Sequence, residues 1–285
     1  MQHYYLLGFP VAHSLSPAMH NTAFKALGID ASYGAVETDE KSLPDTVARL
    51  KEEGASGWNV TMPCKGRMFE LCDVLSPAAK IARSVNTVKN EDGRLYGYTT
   101  DGGGFVKGLS SAGFSVEGKA ITILGTGGAA SSMIIGCALK GASRIDVFYH
   151  SPSSKEGIAP MLERLKGVSD AAVGLFPLSD PDALARSVAA SALLANATRA
   201  GMLTADDPEG LLCAFPESLS FGKCSFVADA IYHPEETVLL KRAKAAGLTV
   251  QNGLPMLLFQ GAEAFEIWTG REMPAETVRL EAFGS

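Results

Sequence analysis

Ala120–Lys140 reads AITILGTGGAASSMIIGCALK, and the fold of the chain turns on this stretch. Ala120–Leu124 is a short apolar run rich in branched residues; Gly125, Gly127 and Gly128 break it, and Met133–Leu139 follows as a second apolar run at helical spacing. The order is strand, tight glycine turn, helix. Backbone N–H groups and a helix N-terminus then face one point, the arrangement that receives a pyrophosphate. Glycine accepts positive φ there and lets a phosphate approach where a Cβ would stand. No charge falls between Ala120 and Leu139, so a membrane span competes. Glycines at 125, 127, 128 and 136, with charged Lys119 and Lys140 at the ends, argue against it. A tight turn in an ordinary α/β fold is the other alternative.

The chain has 285 residues, room for two domains or one large one. Its 46% hydrophobic and 20% charged residues are those of a soluble globular protein. A net charge of −6 without a long basic run makes nucleic acid or an anionic membrane a poor partner, while a small anion can still bind locally. The N-terminus enters YYLLGF without a basic region, so no secretory signal is expected. Cys64, Cys72, Cys137, Cys213 and Cys224 form no CxxC pair, which fits reduced thiols in a cytoplasmic protein and no metal site.

Outward from the glycine turn, the downstream half alternates strand and helix. Strands are expected at 120–124, 144–148, 171–176, 192–196 and 226–229, with helices between the first four, which implies a parallel doubly wound sheet. Arg199–Lys223 has no clear pattern. A helix follows at 237–246, then an amphipathic one at about 255–269. Gln260 lies among apolar neighbours on that last helix, either as a satisfied core amide or as a ligand contact.

Upstream, strands are expected at 4–8, 31–36 and 57–60, with helices at about 17–27, 43–53 and 65–71. Ser16 before Pro17 reads as a hydroxyl N-cap. Ser14 and Ser16 then offer hydroxyls and free N–H groups to a carboxylate, unless they are only cap and loop. Lys65 follows a buried strand in Asn59-Val60-Thr61-Met62-Pro63-Cys64-Lys65, either as a proton donor near an apolar pocket or as a surface lysine. Strands 84–90 and 94–98 form a hairpin with Asp92-Gly93 as its turn. Asp101, in Thr99-Thr100-Asp101, either caps the next helix or leans on Lys65 and keeps its ammonium oriented.

Taken together, the segments Gly8–Asn21, Asn59–Lys65, Ser84–Thr87, Gly97–Phe105, Gly125–Ala130, Asn196–Thr198 with Gly201-Met202, Asp229–Thr237 and Gly253–Gly270 resemble, in the same order, the shikimate dehydrogenase family with its quinate/shikimate branch. The resemblance covers almost the whole chain. It implies an α/β protein of two domains: an α/β substrate domain of residues 1–101 plus 252–285, and a Rossmann-type doubly wound dinucleotide-binding domain of residues 102–251. It implies interconversion of 3-dehydroshikimate and shikimate with NADP or NAD, in aromatic amino acid biosynthesis, by a monomer or homodimer. By the same likeness Lys65 and Asp101 match the catalytic pair. Ser14, Ser16 and Tyr232 match carboxylate contacts, and Thr61, Asn86 and Gln260 match contacts to ring hydroxyls. Gly125, Thr126, Gly127, Gly128, Ala129, His150, Ser151, Asn196, Thr198 and Gly253 match positions facing the cofactor.

The chain departs from the family pattern in two places. Thr99 stands where members usually carry asparagine, so any support from that amide is altered. His150, in Tyr149-His150-Ser151-Pro152-Ser153-Ser154-Lys155, stands where NADP-using members place an arginine for the 2′-phosphate, and an imidazole is not a permanent cation. An NAD site would want a carboxylate at that strand end, and Asp146 falls too early for it. The family default is therefore NADP, with NAD open. Ser14 with Ser16 resembles the shikimate-preferring arrangement. Quinate oxidation is the enzyme alternative, a non-catalytic metabolite sensor the alternative of another class, and a folate-linked dehydrogenase lacks support from the Ser14/Ser16 segment.

Overall fold

The computed structural model describes residues 1–284. In chain order the elements are β1 (Gln2–Gly8), α1 (Ser16–Leu27), β2 (Ala31–Glu37), α2 (Leu43–Glu52), β3 (Gly57–Val60), α3 (Lys65–Leu71), β4 (Val74–Leu75), α4 (Pro77–Ala82), β5 (Thr87–Glu91), β6 (Arg94–Tyr98) and α5 (Asp101–Ser111). They continue with β7 (Ala120–Leu124), α6 (Gly128–Leu139), β8 (Arg144–Tyr149), α7 (Pro152–Lys166), β9 (Ala172–Pro177), α8 (Pro181–Ala190), β10 (Leu193–Asn196), β11 (Phe226–Asp229), α9 (Val238–Ala245), β12 (Thr249–Gln251), α10 (Leu254–Thr269) and α11 (Ala275–Phe283). Two compact units result, residues 1–104 with the stretch from Leu258 onward, and Phe105–Leu257.

The first unit is built on a sheet of order β2-β1-β3-β5-β6-β4. β2, β1 and β3 run parallel, whereas β5 is antiparallel to both β3 and β6. Successive side chains of a strand point to opposite faces, and β1 shows the consequence. Tyr4 and Leu6 pack with Met19, Phe24, Phe265 and Trp268 on one face; Leu7 packs with Leu43, Leu50, Trp58 and Met68 on the other. α1 stops at Gly28, which takes the left-handed conformation at φ 62°. Ser16 does not cap that helix. It is already the first helical residue, after Leu15, and its own N–H donates to Ser14 Oγ at 3.2 Å. Ser14 Oγ is thus the hydroxyl that accepts from the first helical N–H, and the helix begins one residue earlier than the Ser-Pro pair suggests.

The second unit has a fully parallel sheet of order β12-β11-β10-β7-β8-β9. Read from the other edge, this is the doubly wound dinucleotide-binding order, with its switch point between β7 and β10. Leu124, Phe148, Leu184, Leu194, Phe215, Val227 and Leu240 form the core on one side. The stretch after β10 that lacks a sequence pattern is irregular, and single residues tie it down. Phe215 and Phe221 are buried, and Arg242 donates to the carbonyls of Phe215 and Pro216 at 2.5 and 2.9 Å. Among the described residues no helix is long and apolar enough to cross a membrane; the apolar stretch from Ala120 is β7 plus α6.

Candidate functional site

Lys65 opens α3 directly after the buried strand β3, and Asp101 opens α5 just after β6. β3 and β6 flank β5 in the sheet, so both helix starts leave the same end of neighbouring strands. Lys65 Nζ donates to Asp101 Oδ2 at 2.7 Å, with the side chains 31% and 18% exposed. The free N–H groups at a helix start repel an ammonium and welcome a carboxylate. α5 therefore favours the Asp101 anion, and that anion offsets the unfavourable place of Lys65 at the start of α3. Asp101 is the partner of Lys65, and its carboxylate is not spent as a helix cap.

Asn86, in the residue before β5, completes the pair. Its amide nitrogen donates to Asp101 Oδ1 at 2.8 Å and to Thr100 Oγ1 at 3.0 Å, while its oxygen accepts from the Thr100 N–H at 2.9 Å. Gln260 Oε1 lies 3.5 Å from the same amide nitrogen. α10 can bring Gln260 this close because Gly104 of α5 has no side chain; a Cβ there would strike the Gln260 backbone. The structure thus gathers Lys65, Asp101, Asn86 and Gln260 into one polar group.

Three further residues around it carry no local sequence signal of a site. Asn59 lies inside the fully buried β3, and Thr87 and Thr100 are wholly buried. A polar residue in an all-buried strand is the one hint available for Asn59. Glu263, one turn beyond Gln260 on α10, fills the space a Cβ on Gly103 would take. Burial, then Asp101, then Glu266 push its carboxyl up to about 7. Thr61 stands in the turn between β3 and α3, where its carbonyl accepts from Cys64 N–H at 3.0 Å. Ser14 and Ser16 lie together at the start of α1, with Ser16 buried.

In the second unit the turn after β7 has the features a pyrophosphate requires. Gly125 has φ +109°, and a Cβ on it would meet Ala197 O at 2.9 Å across the switch point. Gly127 caps α6 without any side-chain hydrogen bond, no acidic residue stands in the first turn, and a Cβ on Gly127 or Gly128 would meet nothing within 4 Å. Open space over an uncapped helix start, beside Thr126 and Ala129, fits a dinucleotide phosphate.

The other positions expected to face the cofactor divide by what their side chains already do. Asn196 is buried and its amide is used inside the protein: it donates to Asp229 Oδ1 and Ala200 O and accepts from the Thr198 N–H and hydroxyl. Gly253 presses its backbone against Ala230, its N–H donating to Ile231 O at 3.0 Å. His150 is exposed after β8. Ser151 and Ser154 form a capping box at α7, with Ser153 Oγ 3.0 Å from Ser151 Oγ. Lys155 Nζ lies 5.7 Å from the centre of the Tyr149 ring. Asp146 is buried in the middle of β8 and pairs with Arg144 at 3.1 Å, away from the strand end. Tyr232 follows β11 and is 42% exposed.

Comparison with known proteins identifies a family. Residues 6–88 match the model described as the shikimate dehydrogenase substrate binding domain, and residues 253–279 the shikimate 5′-dehydrogenase C-terminal domain. A shikimate dehydrogenase (NADP(+)) from Listeria monocytogenes is 40% identical over 96% of this chain and 93% of its own length. Another, from Streptococcus pneumoniae, is 42% identical over 94% of this chain and 92% of its own. Among solved structures, shikimate 5-dehydrogenase from Listeria monocytogenes in complex with shikimate and NAD superposes with a TM-score of 0.91, at 38% identity, covering 98% of this chain and 95% of that one.

Proposed function

This chain belongs to the shikimate dehydrogenase family, and from that premise we propose how it works as an NAD(P)-dependent oxidoreductase interconverting 3-dehydroshikimate and shikimate. The Lys65–Asp101 ion pair carries the reading. Reduction of a ketone needs a hydride at carbon and a proton at oxygen. The nicotinamide, when bound, supplies or accepts the hydride. Lys65 polarises the carbonyl and gives its oxygen a proton; in the reverse direction the lysine amine takes the proton from the alcohol. Asp101 and Asn86 hold the ammonium in place.

The first unit serves as the substrate domain and the second as the dinucleotide-binding domain. Ser14, Ser16 and Tyr232 take the substrate carboxylate; Thr61, Asn86 and Gln260 take the ring hydroxyls. Gly125, Thr126, Gly127, Gly128 and Ala129 receive the cofactor phosphates, with Thr198, Gly253, His150 and Ser151 bordering that site and Asn196 shaping it from within. NADP is the proposed preference, supported by the NADP(+) names of the curated relatives and by the hydroxyls and Lys155 around His150. The five free cysteines support a reducing, cytoplasmic setting. Initial rates for shikimate and quinate, each with NAD⁺ and NADP⁺, test the whole reading. Shikimate with NADP⁺ should give the highest kcat/KM; a quinate preference or a strong NAD⁺ preference overturns the corresponding part.

A further inference from the structure

We propose that Tyr33 is a positioning residue for the Lys65–Asp101 pair, acting through a buried hydrogen-bond chain that runs Tyr33, Asn59, Thr87, Asn86, Asp101. The inference rests on the reading of that pair given above. Tyr33 OH donates to Asn59 Oδ1 at 2.8 Å. Asn59 Nδ2 donates to Thr87 Oγ1 at 2.9 Å, and to Asn86 O at 3.1 Å. Thr87 Oγ1 donates to Asn86 Oδ1 at 3.2 Å, and Asn86 Nδ2 donates to Asp101 Oδ1 at 2.8 Å. Every donor points toward the carboxylate. Tyr33, Asn59, Thr87 and Asn86 are all buried, so no solvent replaces a lost partner without cost.

The direction of the chain follows from its ends. Burial raises the Tyr33 phenol well above its ordinary value, so it stays protonated and remains a donor. Asn59 must then present its oxygen to Tyr33 and its nitrogen to Thr87. Thr87, having accepted from Asn59, has one proton to give, with Asn86 Oδ1 at 3.2 Å and Thr100 Oγ1 at 3.3 Å within its reach. Asn86 is left with its nitrogen facing Asp101, which fixes which carboxylate oxygen remains for Lys65.

Tyr33 is itself held from two sides. Asn21 of α1 pairs with its backbone in both directions, each bond 2.9 Å. The His20 ring lies on the Tyr33 ring at 4.5 Å and 15°. His20 is fully buried, and neither ring nitrogen meets a partner in good hydrogen-bond geometry. Burial holds it neutral, its pKa pushed down to about 3, with a side-chain contact to Asn59 opposing. A neutral flat ring there packs the phenol without competing for its proton. Because the Thr100 N–H also supports Asn86 Oδ1, loss of the chain should impair Asp101 and leave it partly held.

The test uses the full chain carrying Tyr33→Phe, Thr87→Val, Thr87→Ser, the Tyr33→Phe/Thr87→Val double, and Lys65→Ala as the reference for the pair. Kinetics are read as separate kcat and KM values for shikimate and for cofactor. Tyr33→Phe and Thr87→Val should each lower kcat about tenfold, the scale of a small misplacement of a reacting group, with cofactor KM unchanged. Thr87→Ser should restore kcat, and the double variant should be no worse than Thr87→Val, since both cut one chain. Losses that multiply in the double, a Thr87→Ser variant as poor as Thr87→Val, or unchanged kcat in the single variants overturn the inference. If Tyr33→Phe does not fold, the Thr87→Val and Thr87→Ser comparison decides alone. A fully active Lys65→Ala overturns the underlying reading; a crippled one beside unaffected Tyr33→Phe and Thr87→Val overturns only the chain.

Discussion

Glu263 lies against the first turn of α5, where the Asp101 carboxylate, from a different helix, disfavours its charge. Burial first, then the Asp101 charge, then Glu266 raise Glu263 from its ordinary 4.5 to about 7. A carboxyl whose folded value is raised binds its proton more tightly folded than unfolded. Its contribution to stability is complete below about 4.5 and is lost as pH rises through about 7. Glu263→Gln is neutral throughout and lacks this dependence. Between pH 5 and pH 8 the Tm of the natural chain should therefore fall relative to that of Glu263→Gln; parallel curves would show that Glu263 is ionised across the range.

Removing the ammonium should abolish most turnover while sparing the cofactor turn. Lys65→Ala is expected to lower kcat for shikimate oxidation by about 10²–10⁴-fold, the usual contribution of acid–base catalysis. Asp101→Asn keeps the shape and removes the charge, so it should fall in the same direction. Equilibrium binding of NADPH, followed by fluorescence, should match the natural chain in both. Near-normal turnover of Lys65→Ala would remove Lys65 from the chemistry.

Gly104 and Gly127 make opposite predictions from the same substitution. At Gly104 a Cβ meets the Gln260 main chain, which has no freedom to yield. Gly104→Ala should cost about 1–3 kcal/mol, the usual cost of forcing atoms into a packed contact, and should raise KM for shikimate by moving Gln260. At Gly127 the added methyl meets nothing in the protein. Gly127→Ala replaces the N-cap glycine of α6 and should cost up to about 1 kcal/mol, a few degrees of Tm at most, yet raise KM for the cofactor, because the methyl enters the space assigned to its phosphates. A destabilised Gly127→Ala with normal cofactor KM would contradict the phosphate assignment.

Regular periodicity made most of the fold legible in the chain itself. β7, the glycine turn and α6 follow from an apolar run, three glycines and a second apolar run. The short elements β4, α4, β12 and α11 do not announce themselves. β4 has two residues, and the Pro77–Ala82 helix is only six residues long, too short for a helical repeat to show. β5 begins at Thr87, later than the apolar texture suggests, although the Asn86 backbone still bonds to Val60 and Tyr98 on either side. Lys65 and Asp101 could be singled out as polar residues at strand ends, but nothing local joins residues 36 positions apart. Asn59, Thr87 and Tyr33 are harder still to read. Their polarity is satisfied across strands: the pairing of β3 with β5 sets Asn59 opposite Thr87, and the order β2-β1-β3 brings Tyr33 within reach of Asn59.

Asn196 and Asp229 provide the last prediction, because the site of one explains the charge of the other. The Asp229 carboxylate is buried and accepts from Ile231 N at 3.0 Å, Thr237 Oγ1 at 2.8 Å and Asn196 Nδ2 at 3.0 Å. Those bonds favour the anion, but burial outweighs them and holds the carboxyl up at about 6. Asn196→Ala removes one donor from Asp229 and leaves the Thr198 N–H and hydroxyl without their acceptor. Stranding such groups costs about 2–4 kcal/mol. The loss should also deepen with pH. With one stabilising bond gone, the folded value of Asp229 rises further, and stability tied to a raised carboxyl is lost as pH climbs through that value. Urea unfolding of Asn196→Ala and the natural chain at pH 5.5 and pH 8 should therefore show a larger difference at pH 8. An equal difference at both would mean that Asp229 does not feel the Asn196 amide, and that the cost lies in the Thr198 turn alone.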